Sequence, residues 1–322
     1  MLDRVAIAKI IFKSIDTRVI CTPLEGSMSK PTSISAWLDR DSVAAGIFLA
    51  PALLVLGIFL FYPILYLLYL SFTTGSFSLA GIKWVGLRNY LRLFTDADFW
   101  QVIGNTAYFA IATIVPTIAI PLGLASLLNR SLALRGILRT AYFIPSITSL
   151  VAVGLAWRWL FQTDGRVNDL LIALGIEPIS WLSSTVWAMP VLILLSSWKQ
   201  LGFNLVVFLA GLQTIPQSRY EAAELDGANG WAKFWYITLP GLTPTLVFAI
   251  LTTAIFTLRS FEQVYIITGG GPLNSTNLLV YYIYEQAFSR FEFGYAAAAA
   301  TVLLAIASIF VAVYLRVWKE EN

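Results

Sequence analysis

The sequence predicts an all-α integral membrane protein with six transmembrane helices. Three observations carry this. Of 322 residues, 58% are hydrophobic and only 12% charged, against about 45–50% and about 25% in a soluble domain. Six apolar runs, bare or nearly bare of charge, recur along the chain, and a bilayer crossing needs about 20 such residues. Lys and Arg are divided unevenly between the segments that join the runs, as the positive-inside rule requires.

Residues 1–42 read as a cytoplasmic N-terminal tail, ahead of a transmembrane domain at 43–322. Ile7, Ile11 and Ile15 recur at helical spacing, with Lys9 and Lys13 on another face. That fits a short interfacial helix as well as a poorly ordered tail. The spans follow at 43–71, 102–128, 140–157, about 180–211, 234–258 and 293–315; Lys199 alone interrupts the fourth. The first is too long for a secretory signal, whose apolar core runs about 7–15 residues. Residues 263–284 carry no charge but are rejected as a seventh span. Gly269-Gly270-Gly271-Pro272 breaks them and Asn274 to Asn277 follow, and irregular backbone cannot face lipid. Val264–Thr268 is therefore read as the top of the fifth helix, and 278–284 as an interfacial or re-entrant segment.

Orientation follows from the cations. With the N-terminus inside, the inner segments hold Arg4, Lys9, Lys13, Arg18, Lys30, Arg40, Arg130, Arg135, Arg139, Arg219, Lys233, Arg316 and Lys319. The outer ones hold only Lys83, Arg88, Arg92, Arg166 and Arg290. Both termini are thus expected in the cytoplasm, and six spans satisfy that where seven do not. The absence of histidine removes any histidine-dependent triad and makes a zinc site unfavourable. A single cysteine, Cys21, allows no disulfide within the chain, and a net charge of +3 does not suit a nucleic-acid partner.

One inner loop, 214–240, has the grammar of a helical hairpin. Pro216 suits a first helical turn, residues 217–226 favour helix, and Gly227 suits a C-terminal cap. Asn229-Gly230 marks a second turn, residues 231–237 a second short helix, and Pro240 the start of the next span. Small residues, Ala222 and Ala223, let another surface approach, and Glu221, Glu224 and Asp226 offer charged contacts.

These residues resemble a known family. Glu221-Ala222-Ala223, Asp226-Gly227-Ala228, Phe234, Ile237 and Leu239-Pro240 are similar to the EAA loop of ABC importer permeases. Further matches are Phe48-Leu49-Ala50-Pro51, Tyr62-Pro63, Gly86 to Tyr90, Thr268 to Pro272, Tyr284, Phe288 and Gly294-Tyr295-Ala296. They resemble the carbohydrate-uptake class, of maltose and glycerol-phosphate permease type, from about Ile47 to the end. The resemblance implies the type I importer fold in a bacterial inner membrane. It implies ATPase coupling through Glu221, Ala222, Ala223, Asp226 and Gly227, and a heterodimer with a second homologous permease. Two copies of a cytoplasmic ATPase and a periplasmic solute-binding protein complete the expected assembly. No G-x-x-x-x-G-K-[ST] occurs, so ATP and magnesium are expected on the ATPase and no cofactor on this chain, which is read as a non-catalytic subunit.

Polar groups inside spans are functional candidates. Thr253, Thr257 and Ser260 stand at i, i+4 and i+7, with Phe256 beside them, which suits the hydroxyls and C–H face of a sugar. The same hydroxyls also serve as glue between helices, and both readings stay open. Gln200 and Asn204, flanking Phe203, are candidates on the fourth span, where the resemblance puts the other half of a sugar site. Lys199 either meets an anionic group or Glu262, and Arg259 and Glu262 pair at i, i+3; structural ion pairs are the favoured reading. The function expected is import of a disaccharide, polyol glycoside or glycerol phosphate by alternating access. The alternative, a self-sufficient secondary transporter or channel, leaves the hairpin without a role and lacks an internal inverted repeat. A membrane enzyme lacks a convergent catalytic set.

Overall fold

A computed structural model describes residues 41–74, 81–129 and 135–320. The expected tail, including Ile7, Ile11 and Ile15, lies outside these residues except for Asp41 and Ser42, which begin a helix. The chain divides at Tyr62/Pro63 into two units. In the first, α1 (Asp41–Leu56) runs into a π-helical turn, Gly57–Phe61. Its described apolar side chains are exposed, Phe48 by 83%. A helix apolar on every side belongs in lipid or against another membrane helix.

The second unit contains α2 (Tyr62–Ser71), whose first residue is the boundary residue, then α3 (Arg88–Thr95), α4 (Ala97–Leu128), α5 (Arg135–Ile147), α6 (Leu150–Leu160) and α7 (Arg166–Ala173). There follow α8 (Ala188–Thr214), α9 (Gln217–Leu225), α10 (Gly230–Lys233), α11 (Leu239–Gly241), α12 (Thr243–Leu258), α13 (Leu279–Tyr284) and α14 (Phe293–Glu320). Further π-helical turns lie at Phe234–Thr238, Val264–Thr268 and Glu285–Ser289. Four stretches are long and apolar enough to cross a membrane: Phe48–Ser71, Ala97–Leu128, Ala188–Thr214 and Phe293–Arg316. Counting each of two bent pairs as one broken span gives up to six among the described residues.

Both bent pairs correct the sequence reading. The third span is not continuous: Gly136–Ile147 and Leu150–Leu160 meet at 94°. The fifth does not start at Phe234, because the chain bends by 67° ahead of Thr243. Its straight part, α12, is 16 residues, about 24 Å at 1.5 Å per residue. Val264–Thr268 is not the top of that helix either. The helix ends at Leu258, with Arg259 at its C-cap, and Val264–Thr268 is a separate turn. Residues 278–284 are confirmed as no span of their own; α13 has six residues.

Packing follows α4. At one end Leu122, Ala125 and Leu128 meet Leu205, Phe208 and Leu212 of α8 and Leu242 and Ala249 around α12. Midway, Phe109 packs with Leu192, Leu195 and Val264. At the other end Phe99 and Val102 pack with Leu93, Leu279, Tyr282 and Tyr295.

That last cluster encloses a carboxylate. Asp96 caps α4 through the Asp98 N–H (3.0 Å) and accepts from the hydroxyls of Tyr295 (2.6 Å) and Tyr282 (3.0 Å). Burial pushes its pKa up. The two hydroxyls and the N–H groups of Asp98 and Phe99 outweigh burial and hold the carboxyl below its ordinary 3.8. A depressed carboxylate contributes stability above its unfolded pKa and loses it as pH falls through the folded one. We expect a melting temperature flat above about pH 5 and falling below about pH 4, with Asp96→Asn removing part of that fall. Identical acid limbs in wild type and variant would rule this out.

Candidate functional sites

The helical hairpin forms as its residue types require. Pro216 precedes α9, and Asp226 is its C-cap. Gly227 follows at φ +76°, a left-handed conformation that glycine adopts without penalty. Gly227 N–H donates to Glu224 O (3.1 Å) and Ala228 N–H to Ala223 O (2.8 Å), the paired bonds of a Schellman cap. Asn229 then caps α10, its side chain accepting from Ala232 N–H at 2.9 Å. Two contacts fix the hairpin angle: Lys233 Nζ to Glu224 Oε1 at 2.6 Å, and Tyr220 OH to Thr238 Oγ1 at 3.0 Å. Glu224 is thereby committed internally. Ala222, Ala223 and Asp226 line a groove of about 530 Å³ with Arg219 and Ala228. Glu221 is exposed and does not line it. Leu225 (90% exposed), Trp231 (71%) and Tyr236 (82%) leave the hairpin with a bare apolar surface.

The second site is a cavity of about 780 Å³ between α5, α8 and the end of α12. Of the sequence candidates, Gln200, Phe203, Phe256 and Ser260 line it. Asn204, Thr253 and Thr257 do not; they are buried on the packed side of their helices. Asn204 Nδ2 donates to Thr253 Oγ1 (3.1 Å) and Thr117 O (3.0 Å), tying α8 to α12 and α4. The Thr257 hydroxyl donates to Ala254 O at 2.8 Å. Of the two open readings for these hydroxyls, helix-to-helix bonding describes Thr253.

The structure also adds Thr252, Arg259, Phe261 and Glu262 to the wall. The pairing expected between Arg259 and Glu262 is not formed, nor that between Lys199 and Glu262: among the described residues none of the three makes an ion pair. The backbone leaves the helix after Arg259, which destroys i, i+3 geometry. Lys199 has other partners. Its Nζ donates to Pro145 O (3.0 Å) and to Thr148 O, carbonyls beside the break between α5 and α6. A broken helix leaves carbonyls without intrahelical donors, and Lys199 supplies one. The signal that pointed to Arg259 and Glu262 was the cost of charge within a span. Among the described residues no three His, Cys, Asp or Glu side chains gather into a metal site.

Apolar spans, an exposed hairpin and a cavity between helices lined by both apolar and polar side chains fit a subunit of a membrane transporter. Residues 118–318 match the family described as the inner membrane component of binding-protein-dependent transport systems. The chain is 37% identical over 297 residues to the lactose transport system permease protein LacF of Rhizobium radiobacter, covering 90% of this chain and 96% of that one. It is 39% identical over 290 residues to the sulfoquinovosyl glycerol transport system permease protein SmoG of Agrobacterium fabrum, covering 89% and 94%. A chain from the crystal structure of a bacterial ABC transporter involved in import of the acidic polysaccharide alginate is 25% identical. It superposes with a TM-score of 0.74 over 88% of this chain and 99% of that one. The chain belongs to this family: it is a permease of an ABC importer, the non-catalytic, multi-pass component in the inner membrane.

Proposed function

We propose that the chain moves a sugar or sugar-like solute from periplasm to cytoplasm by alternating access, powered by ATPase subunits on other polypeptides. The relatives named for lactose and sulfoquinovosyl glycerol support the solute class. The cavity wall supports it too: Gln200, Ser260, Arg259 and Glu262 offer donors and acceptors to hydroxyls, and Phe203 and Phe256 offer apolar faces to C–H groups. Asn204, Thr253 and Thr257 position that wall from behind. Both termini lie in the cytoplasm, and residues 43–322 make up the permease domain behind a tail at 1–42.

The observation that carries the mechanism is the hairpin. Glu221, Ala222, Ala223, Asp226 and Gly227 form a coupling helix that docks on one of two ATPase copies, where ATP and magnesium bind. A second, homologous permease completes the pathway. The bare apolar surface of Phe48–Ser71 is consistent with a membrane partner. A periplasmic binding protein delivers the solute.

The test uses the tagged full chain, co-expressed with the proteins encoded beside it and purified in mild detergent. Gly227→Val is expected to lose the ATPase subunit or its stimulation, because a β-branched residue resists positive φ. Gly227→Asn, which tolerates that conformation, is expected to keep both. A wild-type chain that purifies alone and transports without ATP would sink the proposal.

A further inference from the structure

The cavity beside α8 carries a charge that no group among the described residues cancels. Its wall holds two cations, Lys199 and Arg259, and one carboxylate, Glu262. The Lys199 ammonium is engaged by Pro145 O and Thr148 O, which solvate its charge without neutralising it. Arg259 has no such partner. Among the described residues its guanidinium makes neither an ion pair nor a hydrogen bond. A carboxylate or an ammonium in a span can shed its charge by gaining or losing a proton, and a guanidinium cannot. Arg259 therefore calls for an anion that the described residues do not supply.

A second group without a partner stands four residues on. Gln263 is only 3% exposed and lines the same cavity, and its amide forms no hydrogen bond among the described residues. A buried amide left unbonded is costly, so the position favours an occupant that bonds to it. Gln200 adds a further polar side chain from α8. The cavity is also deep. Lys199 stands about 16 Å along α8 from Ala188, at 1.5 Å per residue. A phospholipid headgroup stays at the membrane surface and does not fill that depth, whereas a solute in transit does.

We infer that Arg259 and Gln263 receive an oxyanion carried by the solute, so that the cavity prefers an acidic sugar-like solute to its neutral counterpart. The guanidinium fork matches the paired oxygens of a carboxylate, a sulfonate or a phosphate, and the Gln263 amide adds a neutral donor. With one such anion bound, the formal charges of Lys199, Arg259, Glu262 and the solute sum to zero; a neutral solute leaves them at +1. Glu262 acts with the opposite sign. It repels the anion and so limits how strongly the cavity prefers it. The inference rests on the reading of the cavity as the solute site.

The experiment measures uptake by the complete complex with its binding protein in liposomes of phosphatidylcholine, which carries no net charge. Two matched radiolabelled pairs are used: sulfoquinovosyl glycerol with glucosylglycerol, and lactobionate with lactose. The binding protein is the same throughout, so a change between variants in the acid-to-neutral ratio of kcat/KM belongs to the permease. Arg259→Gln is expected to lower that ratio about tenfold, Arg259→Lys to keep part of it, and Glu262→Gln to raise it. An unchanged ratio in Arg259→Gln, or a lowered one in Glu262→Gln, overturns the inference. So does a wild type that moves only the neutral members, or none of the four. Loss of the second permease from Arg259→Gln also overturns it, and makes the guanidinium a contact between subunits. An Arg259 effect that appears only once phosphatidylglycerol is added overturns the solute as the source of the anion, in favour of a lipid headgroup. Phe256→Ala separates this inference from the reading it rests on. If that variant slows both members of a pair while Arg259→Gln is silent, the cavity stands and the oxyanion site falls; if both are silent, the cavity reading falls as well.

Discussion

Gly202→Val is expected to leave little well-assembled protein. A Cβ at Gly202 falls onto the Tyr142 carbonyl oxygen, 2.7 Å from Ser146 Oγ and 2.8 Å from Phe143 Cα. Two of these neighbours are backbone and cannot turn aside, so α5 and α8 must separate. Separation breaks Ser146 Oγ to Lys199 O (3.0 Å) and the Lys199 bond to Pro145 O. Overpacking alone costs about 1–3 kcal/mol, and the lost bonds raise the sum to about 3–5 kcal/mol. The measurement is melting temperature and size-exclusion profile in detergent for wild type, Gly202→Ala and Gly202→Val. A graded loss is expected. An alanine variant that melts with wild type would show that the helices are not in backbone contact here.

Lys199→Met is the second large effect. Methionine keeps the apolar stem but removes the ammonium that serves Pro145 O and Thr148 O. Pro145 O keeps a bond from the Thr148 hydroxyl (2.7 Å), but Thr148 O loses its charged donor, and the loss is expected to be about 1–3 kcal/mol. Glu262→Gln is the contrast. If Lys199 were held by an ion pair with Glu262, both variants would destabilise comparably. With backbone carbonyls as its partners, Glu262→Gln should lie within about 0.5 kcal/mol of wild type. Thermal unfolding of the three proteins decides between the two. Equal losses in both variants would restore the ion pair.

The residues of the hairpin were readable in advance because each acts on its immediate neighbours. Pro216, Gly227 and Asn229 punctuate the backbone wherever they occur, and the caps form at those positions. The break at Thr148 and Ser149 was not readable. Its most visible support, Lys199, lies more than fifty residues away in sequence, and Thr140 to Trp157 has the composition of one continuous span. That Gln200, Phe203, Phe256 and Ser260 line the cavity while Asn204, Thr253 and Thr257 do not was unreadable for a related reason. Thr253, Thr257 and Ser260 do share a helical face, but periodicity does not say which face meets α4 and α8. The end of α12 at Leu258 then turns Arg259, Phe261 and Glu262 onto the wall, where an unbroken helix would have paired Arg259 with Glu262.

The sequence alone determined that this is a helical membrane protein of the ABC importer permease family, with apolar spans and an exposed helical hairpin. Transfer into lipid and capping of helix ends are properties of residue type over a few turns. Tertiary structure decided that α5 and α6 meet at a right angle around a lysine of α8. It also decided which side of α12 faces the cavity, and that Phe261, Tyr265, Tyr281 and Tyr284 from two short segments pack into one aromatic cluster. Each of these depends on which helices become neighbours, and that is settled by packing between residues far apart in the chain.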